Sequence, residues 1–315
     1  MRHDGGRRAA RPAHRGAPGP GRGFTLIELL AILAILAILM STLLPALSRT
    51  RPTTAAMRCL NNCHQLTTAW RLYADDNNDL LPPNDYPYTT CFLTYAGDKN
   101  KLRNWVVGTM LQAFDAIYSP AATLLAPQTL LSPYLKAAST YKCPADTLLL
   151  SGRPKSRSYS MNNAVGTRWS SGYGQLGTDQ SKRVGDPVGG GWLSGSYSDP
   201  DPNYVTFGKL SSFLAPGPAN TWVFIDENPL TINDGQFAVS MDNALLVDHP
   251  SGLHANGGAL GFVDGHSEIH KWRSSVVYTP GSAGQQGAVW SQSIAGNNDA
   301  MRDMAWLCAR TTARK

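Results

Sequence analysis

Apolar and polar positions divide the chain into a polar leader, one long apolar stretch, an amphipathic continuation and a loop-rich remainder. From Phe24 to Leu47 the only polar interruptions are Thr25, Glu28, Ser41 and Thr42, and Leu29 to Met40 is unbroken. At about 1.5 Å per residue, a helix over these 24 residues is long enough for a hydrocarbon core of about 30 Å. The stretch therefore predicts one membrane-spanning helix, with Pro45 as a site of bending because a proline removes a helical hydrogen bond. Beyond Pro52 an apolar stripe at Cys59, Leu60, Cys63, Leu66, Trp70 and Tyr73 recurs at three- and four-residue spacing, which predicts an amphipathic helix packed on a sheet. That helix should end near Asp75–Asp79, ahead of Pro82 and Pro83.

Residues 84–220 are rich in Gly, Pro, Ser and Tyr, and predict loops, short strands and one helix near Ala121 to Ala138. The segment Gly185 to Asn203 reads as a surface excursion. The pattern sharpens again at Thr221–Asp226, a continuous apolar run of the buried-strand kind, and at Gly258–Val263 and His266–Trp272, which flank Asp264-Gly265 as a β-hairpin. Asp-Gly predicts a two-residue type I′ turn, in which both central residues take positive φ. The expected class is α+β: a long N-terminal helix, transmembrane and then amphipathic, packed on an antiparallel sheet with loop-rich insertions. The chain is thereby divided into a basic leader 1–23, a transmembrane or assembly helix 24–47, and an exported domain 48–315.

Charge changes this picture little. The net charge of +6 is concentrated in the leader, where six arginines face the single acid Asp4, so residues 24–315 are nearly neutral. A phosphate-binding patch belongs on a folded surface, and no nucleic-acid partner is expected. A secretory signal peptide would carry its small-residue cleavage site after the apolar run; here Gly23 precedes it. A carboxylate such as Glu28 at membrane depth costs roughly 2.5 kcal/mol or more and points to function.

The string Arg22-Gly-Phe-Thr-Leu-Ile-Glu-Leu-Leu30 resembles the processing site of type IV prepilins and type II secretion pseudopilins. The resemblance implies cleavage between Gly23 and Phe24 by a prepilin peptidase and N-methylation of Phe24. It also implies a pairing of Glu28 with the terminal amine of a neighbouring subunit, either another copy or another pseudopilin. It places the chain in the bacterial inner membrane as a single-pass protein, with its C-terminal domain in the periplasm or outside the cell. A second resemblance lies in His254 followed nine residues later by Asp264-Gly265, similar to the H-X9-DG signature of a large bacterial group of prepilin-like proteins. Cys59-Leu-Asn-Asn62, Tyr141-Lys-Cys-Pro-Ala-Asp146 and Ser158-Tyr-Ser-Met-Asn162 agree with that group, whereas residues 84–140 and 163–203 match nothing in it.

Candidate chemistry is thin on sequence grounds. Cys59-Leu-Asn-Asn-Cys63-His64 is one residue longer than a haem-attachment pattern, and Asp75, Asn77 and Asp79 lack the glycine and closing glutamate of a calcium loop. His266, Glu268 and His270 alternate on one strand and offer zinc ligands together with His254, but a solvated strand face explains them. Asp226 and Asp264 offer paired carboxylates, although the turn accounts for Asp264. The expectation is no catalytic residue, no metal and no cofactor, with His254, Asp264 and Gly265 structural. Five cysteines allow at most two bridges; Cys59 and Cys63, one helical turn apart, suit each other poorly, Cys91 with Cys143 is the preferred pair, and Cys308 is left to tie the tail. The function expected is that of a pilin- or pseudopilin-like structural subunit. A minor pilin with a binding head and a membrane-tethered metal-dependent hydrolase are the alternatives.

Overall fold

The computed structural model describes residues 25–84, 103–106, 110, 124–125, 127, 129–150, 153–168, 185–196, 200–280 and 291–315, with the backbone alone for 41–53, 150 and 153. Gly23, Phe24 and Cys91 lie outside the described residues. The chain divides into two compact units, residues 1–49 and 50–315, and helix α1 (Leu26–Asp76) contributes to both.

In the first unit, α1 presents the run Leu26–Met40 with every residue exposed. Among the described residues no helix is long and apolar enough to cross a membrane. The described apolar side chains span only these 15 positions, or about 22 Å of helix, and the side chains of 41–47 that complete the expected span lie outside the description. The backbone of α1 is helical through Pro45 and Pro52, so no restart after Pro52 is needed.

The second unit has as its centre a five-stranded sheet. Its elements run in the order β1 (Leu149–Leu150), β2 (Arg153–Pro154), β3 (Tyr159–Asn162), β4 (Trp222–Asp226), β5 (Gln236–Phe237), β6 (Leu245–Leu246), β7 (Gly257–Phe262), β8 (Ser267–Lys271), α2 (Ser275–Tyr278), β9 (Gln292–Ser293) and α3 (Asn298–Cys308). The main sheet runs β5-β3-β4-β7-β8; β1-β2 and β6-β9 form separate two-stranded sheets. Every pairing in the main sheet is antiparallel except β3 with β5, which is parallel, so the sheet is mixed where the sequence predicts an antiparallel one. Within the region expected to hold a helix near Ala121 to Ala138, the described residues form short 3-10 turns, Ser132–Tyr134 and Ala138–Tyr141.

Two cores cover the two faces of the sheet. On one, Cys59, Cys63, Leu66 and Trp70 of α1 are fully buried with Tyr159, Met161, Val223, Phe224, Ala259 and Val263. This is the stripe that the three- and four-residue spacing predicts. On the other, Ala300, Met304 and Leu307 of α3 pack with Trp222, Ile225, Leu260 and Phe262. Asn297 caps α3 by accepting a hydrogen bond from the Ala300 amide at 3.0 Å.

The approach of α1 to β7 is set by a missing side chain. A Cβ on Gly261 would stand 2.3 Å from the Thr67 Oγ1 and 3.2 Å from the Cys63 carbonyl oxygen. We expect Gly261→Ala to lower the melting temperature by an amount corresponding to about 1–3 kcal/mol of overpacking. Thr67→Ala in the same chain should recover part of that loss; additive losses in thermal melts of the double variant would refute the close-approach account.

Candidate functional site

The start of α1 is built by a reciprocal pair. Thr25 Oγ1 accepts from the Glu28 amide at 3.3 Å, and the Glu28 carboxylate accepts from the Thr25 amide and hydroxyl, both at 2.8 Å. Thr-x-x-Glu is a capping box, which satisfies helix-end amides that otherwise have no partner. Sequence reasoning assigns Glu28 only an intersubunit role; its three-residue spacing from Thr25 is the signal for the local one. Because an N-terminus is electropositive, the carboxylate is also favoured there by the helix dipole.

At the other candidate motif, Asp264-Gly265 does form the hairpin connection between β7 and β8, in a different geometry from the one expected. The Gly265 amide donates to the Phe262 carbonyl at 2.9 Å, the Phe262 amide to the His266 carbonyl at 2.9 Å, and only Gly265 has positive φ, +100°. This is a three-residue loop, a type I turn closed by a left-handed glycine, and the two-residue type I′ turn is corrected accordingly. Helix α1 grips the turn: Arg71 Nη1 donates to the Asp264 carbonyl, and His64 Nδ1 lies 2.9 Å from the Gly265 carbonyl. His266 stacks on Phe262 and its Nδ1 lies 2.6 Å from Asp264 Oδ1.

His254 is placed elsewhere, in the turn that enters β7. Its amide donates to the Gly257 carbonyl at 3.1 Å, and Ala255 and Asn256 take positive φ. Lys271 Nζ donates to the Ala255 carbonyl at 2.9 Å and also to the carbonyl of His254. Gly258 belongs to the same fit, because a Cβ there would lie 2.8 Å from the Ser251 carbonyl oxygen. The effect is to aim the imidazole inward. Nε2 of His254 is 3.4 Å from Asp226 Oδ2, at the end of β4, and 3.2 Å from Cys143 Sγ.

Cys59 completes the group. Its Sγ is 3.4 Å from the same Asp226 Oδ2 and accepts from the Tyr159 hydroxyl at 3.0 Å. Tyr159 stands directly opposite Asp226 in the β3–β4 register. Cys143 is held by its own segment, since Asn62 of α1 donates to the Lys142 carbonyl at 2.9 Å and the Asp146 amide donates to the Cys143 carbonyl at 3.0 Å. Donor atoms of Cys59, Cys143, Asp226 and His254 all lie within 4.8 Å of one another, and all four residues are buried. The four sequence pieces singled out for their resemblance, around Cys59, Cys143, Tyr159 and His254, thus meet at one point.

Electrostatics distinguish the members. Burial would lower His254, but hydrogen bonding and charge from Asp226 and Cys143 outweigh it and raise the imidazole to about 9. Burial pushes the Cys59 and Cys63 thiols well above their usual value, whereas hydrogen bonding from Cys59 and then His254 lowers Cys143. Cys143 is a free thiol in this structure. The partner expected for it, Cys91, lies outside the described residues. Cys308 is also a free thiol, its Sγ 3.5 Å from the Ser240 carbonyl oxygen.

The other candidates separate. His270 stacks on Trp306 with ring centroids 3.6 Å apart, and burial followed by Arg310 and Arg273 lowers its imidazole to about 4. Glu268 and His270 are half-buried, His270 beneath Trp306 of α3, where the sequence predicts a solvated face. Asp79 accepts from the Ser211 amide at 3.0 Å and from its hydroxyl, and Asn77 donates to the Tyr73 carbonyl at 2.7 Å, so both fasten the end of α1. Asp226 is buried in the four-residue group while Asp264 belongs to an exposed turn.

Residues 21–44 match the family model of the prokaryotic N-terminal methylation motif, consistent with a type IV prepilin-like protein. No curated protein and no solved structure matches the chain.

The turn geometry makes a graded expectation. Gly265→Val should destabilise the domain by about 1–2 kcal/mol or more, because a β-branched residue resists the left-handed region, and Gly265→Asn should cost less. Chemical denaturation of the two variants measures the order; equal losses would show that φ is not what the turn demands of this residue.

Proposed function

We propose that the chain is a pilin- or pseudopilin-like structural subunit, cut after Gly23, methylated at Phe24 and assembled through α1 into a pilus or a type II secretion-like pseudopilus. The observation that carries this reading is the methylation motif at residues 21–44, coincident with the start of a helix whose apolar residues Leu26–Met40 are all exposed. An apolar helical surface of that kind needs lipid or other helices around it. The partners are a prepilin peptidase and further pilin-like subunits, at the inner membrane of a bacterium, with residues 48–315 exported. The reading is structural and not enzymatic. A metal-dependent hydrolase keeps a coordination position open for water, whereas all four donors near His254 are buried, which favours the structural role.

Cleavage is read directly by mass spectrometry of the membrane-extracted protein. The mature N-terminus should be Phe24 carrying a methyl group, and Gly23→Glu should leave the uncut precursor. A mature N-terminus at any other residue would sink the proposal.

Glu28 gives a second expectation, because its local and intersubunit roles differ in what they require. Glu28→Gln keeps an acceptor for the Thr25 amide and removes the charge, while Glu28→Ala removes both and should fray the first turn of α1. Crosslinking between neighbouring subunits should fall in both variants alike if charge pairing drives assembly. Assembly that survives in Glu28→Gln would assign the residue to capping alone.

A further inference from the structure

We propose that Cys59, Cys143, Asp226 and His254 form a closed tetrahedral site for a zinc-class divalent cation, which fastens helix α1 to three separate segments of the exported domain. The first ground is geometry. Zinc bonds of about 2.0–2.1 Å to nitrogen and oxygen and about 2.3 Å to sulfur place neighbouring ligand atoms of a tetrahedron roughly 3.3–3.8 Å apart. The His254 Nε2–Asp226 Oδ2 separation is 3.4 Å, Cys59 Sγ–Asp226 Oδ2 is 3.4 Å and Cys143 Sγ–His254 Nε2 is 3.2 Å, and no pair in the set exceeds 4.8 Å. Four donors already enclose a volume of the size that one such ion takes, with little movement needed.

The second ground is the balance of polar groups. Asp226 is wholly buried and its Oδ1 has no hydrogen bond of normal geometry, although the Ser251 hydroxyl offsets part of that cost. The Asp226 carboxylate is faced by the His254 imidazole and the Cys59 thiol, each at 3.4 Å, and thiols are weak hydrogen-bond donors, so its compensation in the metal-free chain rests on His254. A dication among Asp226 Oδ2, His254 Nε2 and the two sulfurs bonds all four facing atoms at once and replaces weak thiol contacts with coordination bonds. Two sulfurs, one nitrogen and one oxygen suit zinc or a similar borderline-soft ion better than magnesium or calcium, which take oxygen.

The surroundings are those of a ligand shell. Tyr159 donates to Cys59 Sγ at 3.0 Å, and such outer hydrogen bonds orient and tune metal ligands. Cys63, one turn along α1 and fully buried, is outside the set and serves as an internal control. Binding requires both thiols to lose their protons and the imidazole to be neutral, so protons leave as the ion enters. No electron is transferred.

The site does not depend on the pilin reading, since all four residues lie within the second unit and none takes part in processing. The test uses the full chain, extracted in detergent under reducing conditions, stripped with a chelator and titrated with cobalt(II) and then zinc. The expected result is one ion per chain, thiolate-to-cobalt charge-transfer bands with the visible bands of a tetrahedral ion, and a rise in melting temperature on adding zinc. Cys143→Ser and His254→Gln should each weaken zinc binding at least ten-fold, Tyr159→Phe about ten-fold, and Cys63→Ser not at all. Wild type that yields no tetrahedral cobalt spectrum overturns the proposal without reference to any variant. A Cys59–Cys143 disulfide found by mass spectrometry in cells lysed directly into an alkylating reagent overturns it too, by assigning the two sulfurs to each other.

Discussion

Everything in the second unit depends on how closely α1 can lie against β7. A helix normally stands off a sheet by the thickness of two layers of side chains, but at Gly261 one layer is absent and the Thr67 hydroxyl and Cys63 carbonyl occupy the space. Shortening that distance lowers Cys59 to the level of the strand ends, where Asp226 leaves β4 and Tyr159 enters β3. It also brings His64 and Arg71 onto the hairpin turn, whose carbonyls point outward and would otherwise be left to solvent. One absent methyl group thus sets both the polar cluster at one end of the contact and the clasp on the turn at the other.

The cluster has a consequence for cooperativity. Its members come from α1, from the turn after Tyr141, from the end of β4 and from the turn into β7, so loosening any one of these segments exposes a buried charge or thiol at the other three. Groups that share buried partners couple, and their contributions are not additive. The resemblance pieces are therefore explained by position as well as by likeness. Cys59-Leu-Asn-Asn62 supplies a sulfur and, through Asn62, the grip on Lys142; Tyr141–Asp146 supplies the second sulfur; Ser158–Asn162 supplies Tyr159.

Much of the fold is legible in the sequence because its signals are local. The stripe from Cys59 to Trp70, the buried run Trp222–Asp226 and the glycine-rich strand before Asp264 each arise from spacing within a dozen residues. The parallel β3–β5 pair is not legible, since Gln236 and Phe237 make a strand of only two residues whose partner is Met161 and Asn162, far away in the chain. Helix α3 is absent from the sequence-based expectations although Asn297 and the spacing of Ala300, Met304 and Leu307 announce it. The turn type differs from expectation for a physical reason: Asp-Gly fits both geometries, and the choice falls to Val263 and Asp264, whose amides are held by the Thr221 and Pro218 carbonyls. The cluster is not legible in the sequence as a ligand set because metal-ligand spacing is a local signal: Cys59, Cys143 and His254 lie in stretches singled out for resemblance, but they and Asp226 are brought together by tertiary structure alone.

Glu28 carries two demands that meet at one carboxylate. In the single chain one of its oxygens is engaged by the Thr25 amide and hydroxyl, and that engagement caps the first turn of α1. In the proposed assembly the same oxygens face the cationic amine of a neighbour, an attraction that grows as water is excluded. The two are not exclusive, because a carboxylate offers about four acceptor positions and the Thr25 amide and hydroxyl use two, both on Oε2. A cap retained during assembly would hold the carboxylate in place while the amine approaches, so less side-chain freedom is lost on pairing than if Glu28 were unrestrained. The capping box then acts as preorganisation for the intersubunit contact, and Thr25 becomes part of the assembly apparatus through its hold on Glu28.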